Sequence, residues 1–178
     1  MRPRPPRVLM IQPGAFLPAG GLEMYGRSVI MALGRWCRER GGAAEVLVLN
    51  DAPAQVDRRY LEQNPLRVRG FEGRRPAFAA ATLARAAALQ PSLVISGHVH
   101  FSALMLVAAA AAPAARHWLL TYGIDVWRRL PRLSRLAIRR TGTVVSISQF
   151  TLDELLRHNG ATGVTTRLLP CALDPFYA

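Results

Sequence analysis

The chain has 178 residues, 51% hydrophobic and 19% charged, a composition that supports one globular core and excludes a disordered or collagen-like chain. The formal net charge is +12, and all 23 basic side chains are Arg. That excludes chemistry needing Lys (a Walker phosphate loop, a Schiff base, pyridoxal phosphate) and favours phosphate-bearing ligands, nucleic acid or an anionic membrane surface.

The N-terminal MRPRPPR is basic and is expected to be disordered over 1–7. The apolar run behind it is too short for a signal peptide, and no run reaches the about 18–20 residues of a membrane span, so a cytoplasmic protein with reduced thiols is expected. Residues 8–12 (VLMIQ) read as a strand. Residues 22–40 place apolar side chains at helical spacing, and Gly41-Gly42 ends that helix. Residues 45–50 form a second strand, and 51–64 are polar and irregular. A third strand covers 66–71, and an Ala-rich helix 76–89 is closed by Pro91. A fourth strand covers 92–96. The helix predicted over 102–112 is nearly all apolar, which predicts burial on every side. A fifth strand covers 117–121, a short basic helix 133–140, and a sixth strand 143–147. Ser148 is the predicted N-cap of a helix over 149–158, stopped by Asn159-Gly160, and a seventh strand covers 165–169.

Strands alternating with helices predict an α/β fold: a doubly wound, Rossmann-like sheet of about seven mainly parallel strands with helices on both faces. In such sheets ligands meet the carboxyl ends of the strands. The segments to examine are therefore 13–21, 97–101, 122–131 and Ser148.

Four segments carry candidate chemistry. Gly20-Gly21 open a helix after the first strand; paired glycines either allow a tight turn or let backbone amides approach an anion, where the helix N-terminus adds partial positive charge. Glu23 follows in the first turn. His98 and His100 end the fourth strand. A metal pair there would need acidic and Asn/His ligands from earlier loops, and no DxH or GNH(D/E) motif supplies them, so no metal site is expected; the readings that remain are a hydrogen bond to a substrate hydroxyl or phosphate and a purely structural histidine. Tyr122-Gly123 and Asp125 end the fifth strand. Arg128, Arg132, Arg135 and Arg139 follow at spacings of four, three and four, which lines one helical face for an anionic surface or stands as a solvated face. Ser146 and Ser148 flank the end of the sixth strand, placed to cap or to reach a ligand. No G-x-S-x-G elbow is present.

Taken in order, GGLEMYGRSVIMAL, SLVISGHVH, TYGIDVW, VVSISQFTLDELL and LLPCALDPFY resemble the N-terminal, acceptor-side domain of the family-four retaining glycosyltransferases, which adopt the GT-B fold. The resemblance runs from about residue 8 to 177. It implies one Rossmann-like domain over 8–170 and the start of an interdomain linker over 171–178, with Pro170, Cys171, Ala172, Leu173 and Asp174 standing where the family has P-N-G-x-D. It implies that Gly20 and Gly21 face the donor diphosphate and that His98 approaches the transferred sugar; Asp125, a carboxylate in the loop after the fifth strand, is the second catalytic candidate from the residues themselves. Glu23, His100, Tyr122, Gly123, Ser146 and Ser148 become acceptor-side candidates; Tyr122-Gly123 stands where the family has His-Gly. The donor would be a nucleotide sugar, with no cofactor, and the acceptor would come from a family range that includes many lipid-linked ones. The partner would be a second α/β domain or subunit holding the nucleotide, without which this half should be inactive. Peripheral contact with the inner face of a membrane is expected and nucleic acid is not. The alternative from the residues alone is a non-catalytic α/β module for an anionic ligand or nucleic acid.

Overall fold

The computed structural model describes residues 4–17, 20–62, 64–160, 163–172 and 176. Seven strands form one sheet, all pairs parallel, in the order β3-β2-β1-β4-β5-β6-β7. They are β1 Arg7–Gln12, β2 Ala43–Val48, β3 Leu66–Gly70, β4 Leu93–Ser96, β5 Arg116–Thr121, β6 Thr143–Ser146 and β7 Thr165–Leu168. Five α-helices connect them: α1 Gly21–Glu39, α2 Arg75–Leu89, α3 Ser102–Ala111, α4 Arg132–Arg140 and α5 Gln149–Asn159. Two short 3₁₀ turns, Pro53–Gln55 and Arg58–Tyr60, replace a helix between β2 and β3.

Alternation along β1 divides the core. Leu9 and Ile11 face one side, with Val94, Leu119 and Val144. Val8 and Met10 face the other, with Val46, Ile95 and Leu120. Helices α2, α3, α4 and α5 all pack on the first face, and α1 is the helix on the second. The handedness of βαβ units explains this. From β1 the chain moves one way across the sheet to β2; from β3 it crosses back to β4 and then steps on through β7. Right-handed crossovers then put the later helices on one face. Helices do lie on both faces, but unevenly. On the α1 side, β4 to β6 border an open apolar groove of about 560 Å3, walled by Leu33 and Trp36 and floored by Ile95, Trp118 and Leu120.

Three expectations shift. The ordered chain begins before residue 8, because Arg7 pairs with Ala43 and the Pro6 carbonyl accepts the Ala43 N–H at 2.9 Å. Strand β2 begins two residues early; Ala43 and Ala44 have weak strand propensity, but their pairing with Arg7 and Val8 fixes them. Helix α3 is buried on one side only: Ser102, Met105 and Ala108 are inside, whereas Val107 is exposed. Its apolar character comes mostly from Ala, which tolerates either environment. Helix α5 closes as expected, with Ser148 accepting the Thr151 N–H at 3.2 Å and Gly160 in the left-handed region at φ 60°. Among the described residues no helix is long and apolar enough to cross a membrane. Leu173 and Asp174 of the expected linker lie outside the described residues.

Candidate functional site

The strand order changes direction between β1 and β4, because β1 connects to β2 on one side while β4 leads away on the other. Loops from adjacent strands diverge at such a point and leave a crevice at the carboxyl ends. The loop after β1 and the loop after β4 flank it, and the loop after β5 borders it.

The loop after β1 is held from below by Asp51. This carboxylate is fully buried and accepts the N–H groups of Ala15 at 3.1 Å and Phe16 at 2.8 Å. Burial pushes its pKa above the usual carboxylate value, and the backbone donors and Glu23 are the lesser influences. Arg27 clamps the same loop by donating to the Ala15 carbonyl at 2.9 Å. The loop leads into Gly20, the extended N-cap of α1, whose N–H donates to Glu23 Oε2 at 3.1 Å. Glu23 therefore caps its own helix, a use that accounts for its position without an acceptor. The two glycines differ. A Cβ on Gly20 would come within 2.6 Å of Glu23 Oε2, whereas a Cβ on Gly21 would meet nothing within 4 Å.

Beyond β4, Gly97 is forced to be glycine: a Cβ there would collide with the Gln12 side chain and sit 2.9 Å from the Ile11 carbonyl. That close passage turns the chain into His98. The Ser96 hydroxyl donates to the His98 carbonyl at 3.0 Å, and His98 Nδ1 accepts the His100 N–H at 3.2 Å. With Nδ1 occupied as an acceptor, the neutral ring carries its proton on Nε2. Nε2 lies 3.7 Å from Asp125 Oδ2. Asp125 in turn accepts the Gly123 N–H at 2.8 Å, which fixes the loop after β5. Burial lowers the His98 pKa and His100 lowers it further, against the opposing pull of Asp125.

An aromatic chain links this pair to α1. Tyr122 stacks on His98 with centroids 6.0 Å apart, and Tyr25 meets Tyr122 edge-on at 5.3 Å. The Tyr25 hydroxyl donates to the Leu169 carbonyl at 2.9 Å. Burial, and for Tyr122 the neighbouring Tyr25 hydroxyl, raises both phenol pKa values. Tyr122 thus serves as a ring wall behind His98.

The structure brings Gly20, Gly21, Glu23, His98, His100, Tyr122, Gly123 and Asp125 to one edge of the sheet. It assigns Ser146 and Ser148 to local structure. The Ser146 hydroxyl donates to the Ser148 carbonyl at 3.0 Å, the device Ser96 uses after β4, and Ser148 caps α5. The Ser148 hydroxyl also donates to Thr151 Oγ1 at 3.1 Å, so both serines have a local use that accounts for their position without a ligand. The four-Arg face is also redrawn. Arg128 precedes α4, and Arg128, Arg132 and Arg135 line a cavity together with Arg75 and Arg129, whereas Arg139 is not part of that lining. Sequence reading missed Gln12, Tyr25, Asp51, Arg75 and Arg129. Asp51 alone had a visible signal, an acidic residue directly behind an apolar strand.

A family model described as Glycosyltransferase Family 4 matches residues 20–175. No curated protein matches the sequence significantly. Among solved structures, the chain resembles Anabaena HepE, crystallised with UDP and glucose, with a TM-score of 0.64 and 16% identity over 94% of this chain and 45% of HepE. It also resembles a glycosyltransferase from Rickettsia africae, with a TM-score of 0.60 and 12% identity over 92% of this chain and 42% of that one. The lipopolysaccharide outer core galactosyltransferase WaaB gives 0.52 and 12%, over 85% and 42%. The chain thus spans under half the length of each of these structures, and the likeness establishes a shared fold, one Rossmann-like half of a GT-B architecture.

Proposed function

Since this chain belongs to glycosyltransferase family 4, we propose that it is the acceptor-side half of an enzyme that moves a sugar from a nucleotide sugar to an acceptor hydroxyl with retention. In this reading the chain does no transfer without a second α/β domain that holds the nucleotide. The observation that carries the reading is the meeting, at one topological switch point, of a glycine-opened helix N-terminus and a neutral, oriented histidine.

The sugar–phosphate bond breaks as the acceptor oxygen joins the sugar carbon from the same face, the acceptor's hydroxyl proton passes to the departing phosphate oxygen, and negative charge grows on the leaving nucleoside diphosphate until that proton arrives. Backbone N–H groups in the first turn of α1 stabilise that charge, and Gly21 lets the phosphates come close. His98 offers its Nε2–H, which no hydrogen bond among the described residues occupies, to a sugar hydroxyl, and the His100 N–H on Nδ1 and the Tyr122 ring hold the imidazole in place. The reaction calls on no cofactor in this account. HepE was crystallised with UDP-glucose, which makes a uridine diphosphate sugar the first donor to try. A chain with only two Cys carries no disulfide framework, which suits a reducing, cytoplasmic setting.

The experiment uses this chain together with the nucleotide-holding domain or subunit it is proposed to work with, and UDP-glucose as donor. Gly21→Val should lower turnover by about 100-fold, the scale of losing charge stabilisation at a leaving group, with an unchanged Tm. Normal rate and donor affinity would reduce the loop to a turn, and turnover by the 178-residue chain alone would overturn the division of labour.

A further inference from the structure

Between the start of α2, the 3₁₀ turn Val99–Phe101 and the start of α4 lies an open cavity of about 1270 Å3. Arg75 reaches it from α2, Arg128 and Arg129 from the loop after β5, and Arg132 and Arg135 from α4. Among the described residues no carboxylate pairs with any of the five. Elsewhere Arg59, Arg74 and Arg85 do find acidic partners, in Asp57, Glu72 and Glu45. Helix α4 and the loop before it supply no carboxylate of their own, for no Asp or Glu occurs between Asp125 and Asp153. Arg135 Nε is buried without a hydrogen-bond partner. Burial and the nearby Arg129, Arg139 and Arg132 push its guanidinium below the usual value. Converging guanidinium groups repel one another, and an anion between them turns that repulsion into attraction.

We propose that this cavity binds a phosphate group carried by the acceptor, so that the site selects phosphorylated acceptors. The proposal rests on the acceptor-side reading above and names its substrate class. Planar guanidinium forks match phosphate oxygens in pairs. The walls are concave, which fits a discrete group better than a flat bilayer, and Phe101 and Leu104 offer apolar surface beside the charges. His100 also lines the cavity, and its ring centroid is 4.4 Å from that of His98. A phosphate held by the arginines therefore leaves the rest of the acceptor beside the reacting sugar.

The test is NMR titration of the 178-residue chain with phenyl phosphate, alongside co-sedimentation with phosphatidylcholine vesicles containing phosphatidic acid. Phenyl phosphate should bind, and Arg75→Gln/Arg132→Gln should weaken it on the order of tenfold or more, as expected for two charge-assisted contacts. Both side chains are exposed, so folding should survive. The charge-matched Arg116→Gln/Arg140→Gln, outside the cavity, should leave phenyl phosphate binding unchanged. Loss of both probes in the cavity variant assigns the phosphate to a lipid-linked acceptor, and loss of phenyl phosphate alone to a soluble one. No binding of phenyl phosphate, equal weakening by the two double variants, or binding of vesicles alone would overturn the proposal. Binding is read without sugar transfer, so its failure is distinct from failure of the transferase reading.

Discussion

The Asn159 side chain accepts the N–H of Leu130 at 2.8 Å across 29 positions of sequence. It also donates to the carbonyls of Arg128 at 3.2 Å and Leu155 at 3.1 Å. One buried amide at the end of α5 therefore holds the loop that carries Arg128 and Arg129.

Asn159→Ala should expose the consequence. It leaves the Leu130 N–H buried without an acceptor, a loss of about 2–3 kcal/mol. For a domain of this size that is a fall in Tm of roughly 4–12 °C. Thermal unfolding followed by circular dichroism measures it. A Tm within a degree of the parent would mean that the loop is held elsewhere.

Asp51 makes a second prediction. Burial raises its pKa, so the folded chain holds that proton more readily than the unfolded one. The stability it carries is therefore full below the unfolded pKa of about 3.9 and is lost as pH rises through the raised folded value. Asp51→Asn stays neutral throughout and keeps one oxygen acceptor for Ala15 and Phe16. Its Tm should gain on the parent as pH rises from 4 to 7. Asp51→Ala removes both acceptors and should cost about 2–4 kcal/mol at any pH in that range. A difference between parent and Asp51→Asn that does not change with pH would mean that the carboxyl titrates normally.

The fold was legible because β1, β2, β4 and β6 are short apolar runs bounded by breakers, and parallel pairing buries such runs on both faces; the edge strands β3 (LRVRG) and β7 (TTRL) are more polar because their outer sides meet water. The candidate site was legible where glycine, histidine and aspartate follow those runs, as at Gly21, His98 and Asp125. What stayed hidden depends on distance in sequence. Asp51 meets Ala15 across 36 positions, and Arg75 shares a cavity with Arg128 only after α2 and α4 pack on the same face. The serines left a choice between capping and reaching a ligand, for a different reason. A hydroxyl after a strand looks alike whether it faces a ligand or, as at Ser146, its own turn.

Acidification should be felt through two histidines. Burial lowers the pKa of His98 and His117. A depressed folded value means that the neutral ring stabilises the fold above the unfolded pKa of about 6.5 and that this is lost as pH falls through the folded value. In the Asp51→Asn background, which removes the opposing carboxyl, Tm should fall between pH 7 and 5. Imidazole proton shifts in NMR should give both rings midpoints below 6.5. Midpoints at or above that value would contradict the burial of these rings and the neutral Nε2–H tautomer assigned to His98.

The groove on the α1 side makes the last prediction. Parallel sheets normally have both faces covered, yet Trp118 and Leu169 remain exposed beside Ile95, Leu120 and Trp36. Contiguous apolar surface of this kind binds apolar molecules. The 178-residue chain should therefore bind the dye ANS while fully folded, with Trp fluorescence changing as the dye enters. Trp118→Thr/Leu169→Thr should reduce the dye signal by about half or more, in proportion to apolar area removed. Both positions are already partly in water, so stability should change by less than about 1 kcal/mol. Thr suits position 118 because a β-branched residue keeps the strand propensity of β5. Undiminished dye binding in the double variant would place the dye elsewhere and show that this face is closed in solution.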